Sequence, residues 1–170
     1  MIDNSLNPCV IVAKKNDKKS ILRFYKDNHY PARFIGLDRC YLLKVDNNII
    51  ASVIISQGNK SQQLDPSIAS NSELNLQQSK VPYFLHALLV TPKYQRLGYG
   101  EYLLKHVMMK HQPLICFAQE SLSQLYLNNG FTNITGNVFN QCLPPDLINR
   151  FQRYSKKKPD LKAFICHCLV

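Results

Sequence analysis

Residues 85–104, LHALLVTPKYQRLGYGEYLL, contain a change of period that decides how the rest of the chain is arranged. Leu85 to Val90 is a short apolar run, too short for a free-standing helix and well sized for a buried strand. Pro92 removes a backbone donor and ends the ladder. Gln95-Arg96-Leu97-Gly98-Tyr99-Gly100 follows, with two glycines one residue apart where a helical pattern begins. From there Tyr99, Leu103 and Val107 fall on one stripe, with Leu104, Met108 and His111 beside it. A strand, a glycine turn and a helix N-terminus together make an anion site. First-turn amides and the positive end of the helix dipole point at one spot, and glycines let a phosphate approach the main chain.

Two common phosphate loops do not fit. No Gly-Lys-Ser/Thr closes the turn, and the three-glycine spacing of a dinucleotide loop is absent, as is an acidic residue at the end of a following strand. The whole string resembles motif A of the GCN5-related N-acetyltransferase (GNAT) superfamily, V-x-P-x-x-Q/R-x-x-G-x-G/A. Val90, Pro92, Gln95, Gly98 and Gly100 stand in register with it. Downstream, Tyr126-Leu127-Asn128-Asn129-Gly130-Phe131 resembles the family's Y-x-x-x-G-F signature, one helix and one strand later. The glycines alone would also suit an ordinary βα turn ending in a helix cap. The resemblance implies an α/β (α+β) acyl-CoA N-acyltransferase fold. Its central sheet is mixed and mostly antiparallel, its parallel strands 4 and 5 splay apart, and helices cover both faces.

Length and composition bound the rest. The 170 residues suffice for one domain with a real core, and we read 1–170 as a single domain. Its 45% hydrophobic and 19% charged content is that of a globular chain. No apolar run approaches the ~20 residues of a membrane span. The N-terminus MIDNSLNPCVIVAKK puts acidic and polar residues ahead of a very short apolar stretch, unlike a signal peptide, so the expected location is cytoplasmic. Six cysteines lie mostly in apolar strand-like runs with no C-x-x-C pair, which favours free thiols over disulfides or zinc. No His/Cys/Asp/Glu cluster has metal-ligand spacing, so no metal is expected. The net charge of +10 attracts anions such as coenzyme A, nucleic acid or an acidic substrate, and does not choose among them.

Around the central stretch, residues 8–14 read as a strand and 18–29 as a helix with Ile21, Phe24 and Tyr25 on its apolar stripe. The segment 30–37 reads as a turn carrying aromatic residues. Cys40 to Val45 and Ile49 to Ile55 read as two strands around the hairpin sequence Asp46-Asn47-Asn48. Residues 57–81 form a Ser/Gln/Asn-rich insertion where the family has a tight hairpin, and could shape an acceptor pocket or carry no structure. Pro113 to Ala118 reads as a strand parallel to 82–90, joined to it by helix 98–111. Ser121 opens a helix with Leu122, Leu125 and Tyr126 on one side, ahead of Gly130 and the strand Phe131 to Ile134. Residues 143–170 supply a basic helix and a final buried strand.

Acetyl-CoA is the co-substrate that the resemblance implies. Its pyrophosphate would rest on amides of Gln95, Arg96, Leu97, Gly98, Tyr99 and Gly100, with Arg96 adding charge. Its pantetheine arm would pair with strand residues Leu88, Leu89 and Val90, and an amide there would polarise the thioester carbonyl as in an oxyanion hole. Gln119 stands where many relatives carry a pantetheine-binding Asn. Tyr126 matches the family tyrosine and is the candidate general acid for the leaving thiolate, since a phenol of pKa ~10 can donate. His86, in a strand resembling that of the arylalkylamine N-acetyltransferases, is the candidate base. An imidazole of ordinary pKa ~6.5 accepts a proton near neutrality. Phe84 replaces that subfamily's first strand histidine, and a purely structural His86 remains an alternative.

The expected partner is a primary amine, of a small molecule attacked directly in a ternary complex. Polyamine and aminoglycoside pockets usually need carboxylates, which are few here. Acetylation of a macromolecule (a protein N-terminus, a lysine or an aminoacyl-tRNA) is the alternative. From Leu143 to Lys162 six Lys+Arg face two Asp, so nucleic acid stays open without being favoured. A non-catalytic acyl-CoA sensor is the third reading. A monomer and a homodimer are equally compatible with the sequence.

Overall fold

The computed structural model describes residues 9–32, 38–57 and 81–167. Most of the aromatic turn 30–37, nearly all of the insertion 57–81, and Cys168 therefore lie outside the described residues. In chain order the elements are β1 (Val10–Val12), α1 (Lys18–Asp27), β2 (Arg39–Val45), β3 (Asn48–Gln57), β4 (Tyr83–Val90) and α2 (Tyr99–Met108). Then come β5 (Leu114–Gln119), α3 (Ser123–Asn128), β6 (Thr132–Ile134), α4 (Gly136–Cys142), α5 (Pro145–Ser155) and β7 (Leu161–Cys166). The strands form one seven-stranded sheet in the order β1-β2-β3-β4-β5-β7-β6. Among the described residues only β4 and β5 pair in parallel, because α2 crosses between them; the other pairs are antiparallel.

Local chemistry sets each joint. Asp46 (φ 48°) and Asn47 (φ 63°) make the two-residue turn between β2 and β3, where two successive left-handed residues match the twist of a hairpin and Asp and Asn tolerate them. α2 buries Tyr99, Leu103, Leu104, Val107 and Met108, the stripe that its period predicts. Each fully buried aliphatic side chain there contributes about 1.5–3 kcal/mol relative to exposure.

The sheet has two covered faces. Beneath α2 and α3 lies a core that includes Tyr41, Leu43, Val53, Leu85, Cys116, Tyr126 and Phe164. On the opposite face α1 packs Ile21, Phe24 and Tyr25 onto Cys40, Leu42, Ile54 and Ala87. Further along that face Leu143 and Leu147 cover Phe84, Ile115, Ala163 and Ile165. Strand β4 feeds both of these clusters, and His86 stands in the chain between their residues Phe84 and Ala87.

Two expectations need correction. The helix expected from Ser121 opens as a 3-10 turn, Glu120–Leu122, before α3 starts at Ser123. The tighter turn rotates Leu122 off the α3 stripe, leaving it 46% exposed rather than packed beside Leu125 and Tyr126. The first strand covers three residues rather than 8–14, as suits an edge with one neighbour. Helix α4 is an addition that no apolar period announces.

Candidate active site

The site begins where β4 and β5 part. Their parallel pairing covers Tyr83↔Leu114, Phe84↔Ile115 and Leu85↔Cys116, and then stops. Beyond that point β4 stays paired with β3 as far as Ala51↔Val90, while β5 stays paired with β7 as far as Gln119↔Leu161. The strands thus diverge into a fork whose vertex is Leu85 and Cys116.

A bulge turns β4 at the same place. Ser52 faces Leu89 and Ile54 faces His86, which leaves Val53 opposite both Ala87 and Leu88. Ala87 takes φ 55°, the left-handed region that L residues seldom enter. The Tyr25 phenol holds the bulge: its Oη lies 2.7 Å from the Ala87 carbonyl and 2.9 Å from Ser52 Oγ. A carbonyl can only accept, so the single phenolic proton goes to Ala87 and Ser52 donates back to the phenol. Cys40 Sγ, 3.2 Å from Ser52 Oγ, completes a buried chain, and burial raises that thiol to about 11 so that it stays neutral.

Past the bulge, the direction of the β4 amides follows from one bond. Thr91 donates its amide to Ile50 O at 2.8 Å, toward β3. Donors alternate sides along an antiparallel strand, so the amides of Val90 and Leu88 point away from β3, into the fork. The Leu89 amide points back toward β3. Gln95 Nε2 caps the Val90 carbonyl at 2.9 Å, tying the next loop to the strand end. In that loop Arg96 (φ 62°) and Gly98 (φ 86°) are left-handed, and Gly98 is the N-cap of α2. Left-handed residues ahead of a helix N-terminus gather main-chain amides into a concave anion cradle. Arg96 and Leu97 are exposed there, whereas the Tyr99 ring is buried in the core and offers the cradle only its main chain. Gly100 packs close to Val90, and a Cβ at Gly100 would sit 3.5 Å from Val90 Cγ2.

Tyr126 and His86 occupy opposite faces of the fork. Tyr126 belongs to the core under α2 and α3, stacked on Phe164 with ring centroids 5.4 Å apart. Its hydroxyl neighbours the thiol of Cys116, the last β5 residue paired with β4. Burial raises its pKa well above 10 and that neighbour adds to the rise, so the phenol keeps its proton at any physiological pH. His86 is the first β4 residue beyond the fork vertex. Its Nε2 lies 2.8 Å from Ser56 Oγ and its ring stacks on Phe84 at 5.3 Å. Burial lowers its pKa to about 4; the charge of Asp38 opposes the shift and that of Arg150 adds to it. His86 is therefore neutral at pH 7 and far less basic than a free imidazole. Gln119 lies at the end of β5, where its side-chain amide bonds Asp160 Oδ2 at 3.2 Å across the turn leading to β7.

Several residues of this site escape sequence reasoning. Tyr25 reads as one more apolar stripe position, and only its hydroxyl, which needs a partner when buried, hints at more. Ser56 and Asp38 carry no local signal. Arg150 is visible only as one charge of a basic segment. Among the described residues no group of three His, Cys, Asp or Glu is arranged to hold a metal, and no helix is long and apolar enough to cross a membrane.

Residues 13–126 match the model of the acetyltransferase (GNAT) family. A search of the curated proteins gives no match. The chain is similar in structure to N-acetylglutamate synthase from Neisseria gonorrhoeae, solved with coenzyme A and N-acetyl-glutamate (TM-score 0.59, 14% identity). That match covers 94% of this chain and 34% of the synthase, so the chain spans about a third of that protein. It is also similar to a GNAT-family acetyltransferase from Staphylococcus aureus Mu50 (TM-score 0.55, 16% identity, 94% and 98% of the two chains). A third similar structure is the ribosomal-protein-S18-alanine N-acetyltransferase from Escherichia coli (TM-score 0.57, 15% identity, 93% and 90% of the two chains). At such identities the structural likeness speaks for the fold alone. The family model spans more than half of the sequence, and with the fork, the bulge and the glycine turn it shows that this chain belongs to the acetyltransferase (GNAT) family.

Proposed function

We propose that the protein is an acetyl-CoA-dependent N-acetyltransferase that acylates a primary amine of a small molecule by direct attack in a ternary complex. The observation that carries this reading is the fork: amides of Leu88 and Val90 line one prong, and the left-handed turn at Arg96 and Gly98 ends it at the N-terminus of α2. Its residues fit the group. The cradle from Gln95 to Gly100 would hold a diphosphate, and the inward amides of β4 would receive an extended amide-bearing arm as an added strand. An acetyl thioester supplies the activated acyl group. Main-chain donors fixed by the bulge favour negative charge developing on a carbonyl oxygen beside them.

Two side chains take different parts in the transfer. The neutral phenol of Tyr126 can donate its proton. His86 accepts and orients the amine as a neutral hydrogen-bond partner. A conjugate acid near 4 cannot strip an alkylammonium of pKa about 10, so the amine must arrive deprotonated or lose its proton through water.

A second reading has its own support. Arg153, Lys156, Lys157 and Lys158 are exposed at and beyond the end of α5, as a polyanionic macromolecule would require. Calorimetry with coenzyme A and thiol release from acetyl-CoA over an amine panel test both. Turnover of small amines with modest salt dependence supports the first reading, and a steep loss with salt on a macromolecular acceptor supports the second. Tight coenzyme A binding with no turnover on any amine would identify a sensor, and no binding would overturn the assignment.

A further inference from the structure

The face of the fork that carries His86 has a side wall, α5. Arg150 lies on that helix, half-buried, with its guanidinium carbon 5.0 Å from the centroid of the Phe84 ring. Phe84 is stacked on His86, and the charge of Arg150 reaches the imidazole. Burial raises the pKa of Tyr30, just past the end of α1, and Tyr154, one helical turn beyond Arg150 on α5, adds to that rise. The far wall is aromatic as well: Phe117 of β5 packs on Phe84 at 4.9 Å and on Phe151 of α5 at 5.1 Å. Arg150 is thus a cation set among aromatic side chains beside His86, an imidazole that also feels the carboxylate of Asp38.

Ion pairs among the described residues join Lys44 to Asp17, Lys105 to Glu101 and Lys162 to Glu120. None of them uses Arg150. A guanidinium seated over a ring can turn its N–H groups to a planar anion and bind a carboxylate with two parallel hydrogen bonds. Partial withdrawal from water strengthens such a pair relative to one on an open surface.

We infer that Arg150 is the specificity residue of the acceptor pocket and takes the carboxylate of an amine that carries one, so that the acceptor class is an amino acid or a close relative. This rests on the reading of the fork as the acetyl-transfer site, and deepens it. Phe84 keeps the guanidinium in place, and His86 is neutral in this setting, so among the described residues the charges that reach the imidazole are the Arg150 guanidinium and, with opposite sign, the Asp38 carboxylate.

The test uses ligand binding, so that it does not depend on turnover. N-acetylated amino acids and, for each, the corresponding C-terminal amide are titrated into the full chain by calorimetry, with and without coenzyme A. At least one pair is expected to favour the carboxylate by about tenfold or more, the worth of a charge-assisted pair. In Arg150→Met that preference disappears while coenzyme A binds as before, and in Arg150→Lys part of it returns. Equal or tighter binding of the amide in every pair, no binding of any N-acetyl amino acid, or a preference that survives Arg150→Met would each overturn the inference. Failure of the transferase reading looks different: no heat with coenzyme A and no thiol release from acetyl-CoA, whatever the carboxylate preference.

Discussion

Tyr25 Oη stands 2.7 Å from the carbonyl oxygen of Ala87, bridging α1 and the bulge of β4 across 62 positions of sequence. The bond fixes the one β4 residue in the left-handed region, and with it the direction of the amides that follow. In Tyr25→Phe the ring still fills the core, but the buried carbonyl loses its donor, a change that costs about 1–3 kcal/mol. Turnover should fall further than coenzyme A affinity, because the cradle at α2 is untouched. Urea unfolding, calorimetry and thiol release on the same variant check this; a full-activity, full-stability Tyr25→Phe would show that the bulge holds itself.

The two glycines of the turn should behave differently although they lie one residue apart. Gly98 has φ 86°, where a Cβ costs roughly 1–2 kcal/mol. Gly100 has ordinary helical geometry and room for a methyl group against Val90. Gly98→Ala is therefore expected to lower both stability and coenzyme A affinity, and Gly100→Ala to leave both nearly unchanged. Melting temperatures with and without coenzyme A read both outcomes, and equal losses would place the cradle elsewhere.

What the sequence made legible is what repeats locally. The stripe of α2, the hairpin at Asp46 and Asn47, and the parallel crossover from β4 to β5 all follow from spacing within about 30 residues. The family resemblance added the fork. Helix α4 stayed hidden because GNVFNQC has no fully buried residue and few strong helix formers; contacts such as Phe139 with Phe151, 4.9 Å apart, hold it in place. The insertion of β7 between β5 and β6 is likewise a tertiary fact, since both outer strands carry similar apolar patterns. The site divides along the same line. Glycines and the tyrosine of the Y-x-x-x-G-F string stand out, whereas Tyr25, Ser56 and Arg150 gain their roles from partners 30 or more residues away.

Tyr126 carries a competing contact that defines its test. Its hydroxyl neighbours the Cys116 thiol, so a purely structural Tyr126 would make Tyr126→Phe lose only a weak polar contact. As a general acid it should instead lose about 10²–10⁴-fold in kcat with little change in coenzyme A affinity. Cys116→Ala separates the two, since it removes the structural partner and leaves the phenol. Retained turnover in Cys116→Ala beside a collapsed kcat in Tyr126→Phe is the expected pattern. Equal turnover in wild type and Tyr126→Phe would dismiss the acid role.

The pH dependence follows from His86. Its folded-state pKa, about 4, lies below the unfolded value of 6.5. Between these values the unfolded chain binds more protons, so the contribution of His86 to stability is fully present above pH 6.5 and is lost as pH falls through about 4. His106 and His111 are shifted in the same direction by burial, so they leave a residual slope. His86→Asn, which keeps a polar group for Ser56, should therefore flatten the fall of the urea midpoint between pH 6.5 and 4 without abolishing it. The same shift governs catalysis: an acidic limb belonging to His86 should appear near pH 4, well below the ordinary imidazole range. If the limb of kcat/KM instead lies near 6.5 and disappears in His86→Asn, the imidazole is more solvated in the working enzyme than its stacking on Phe84 and its bond to Ser56 imply.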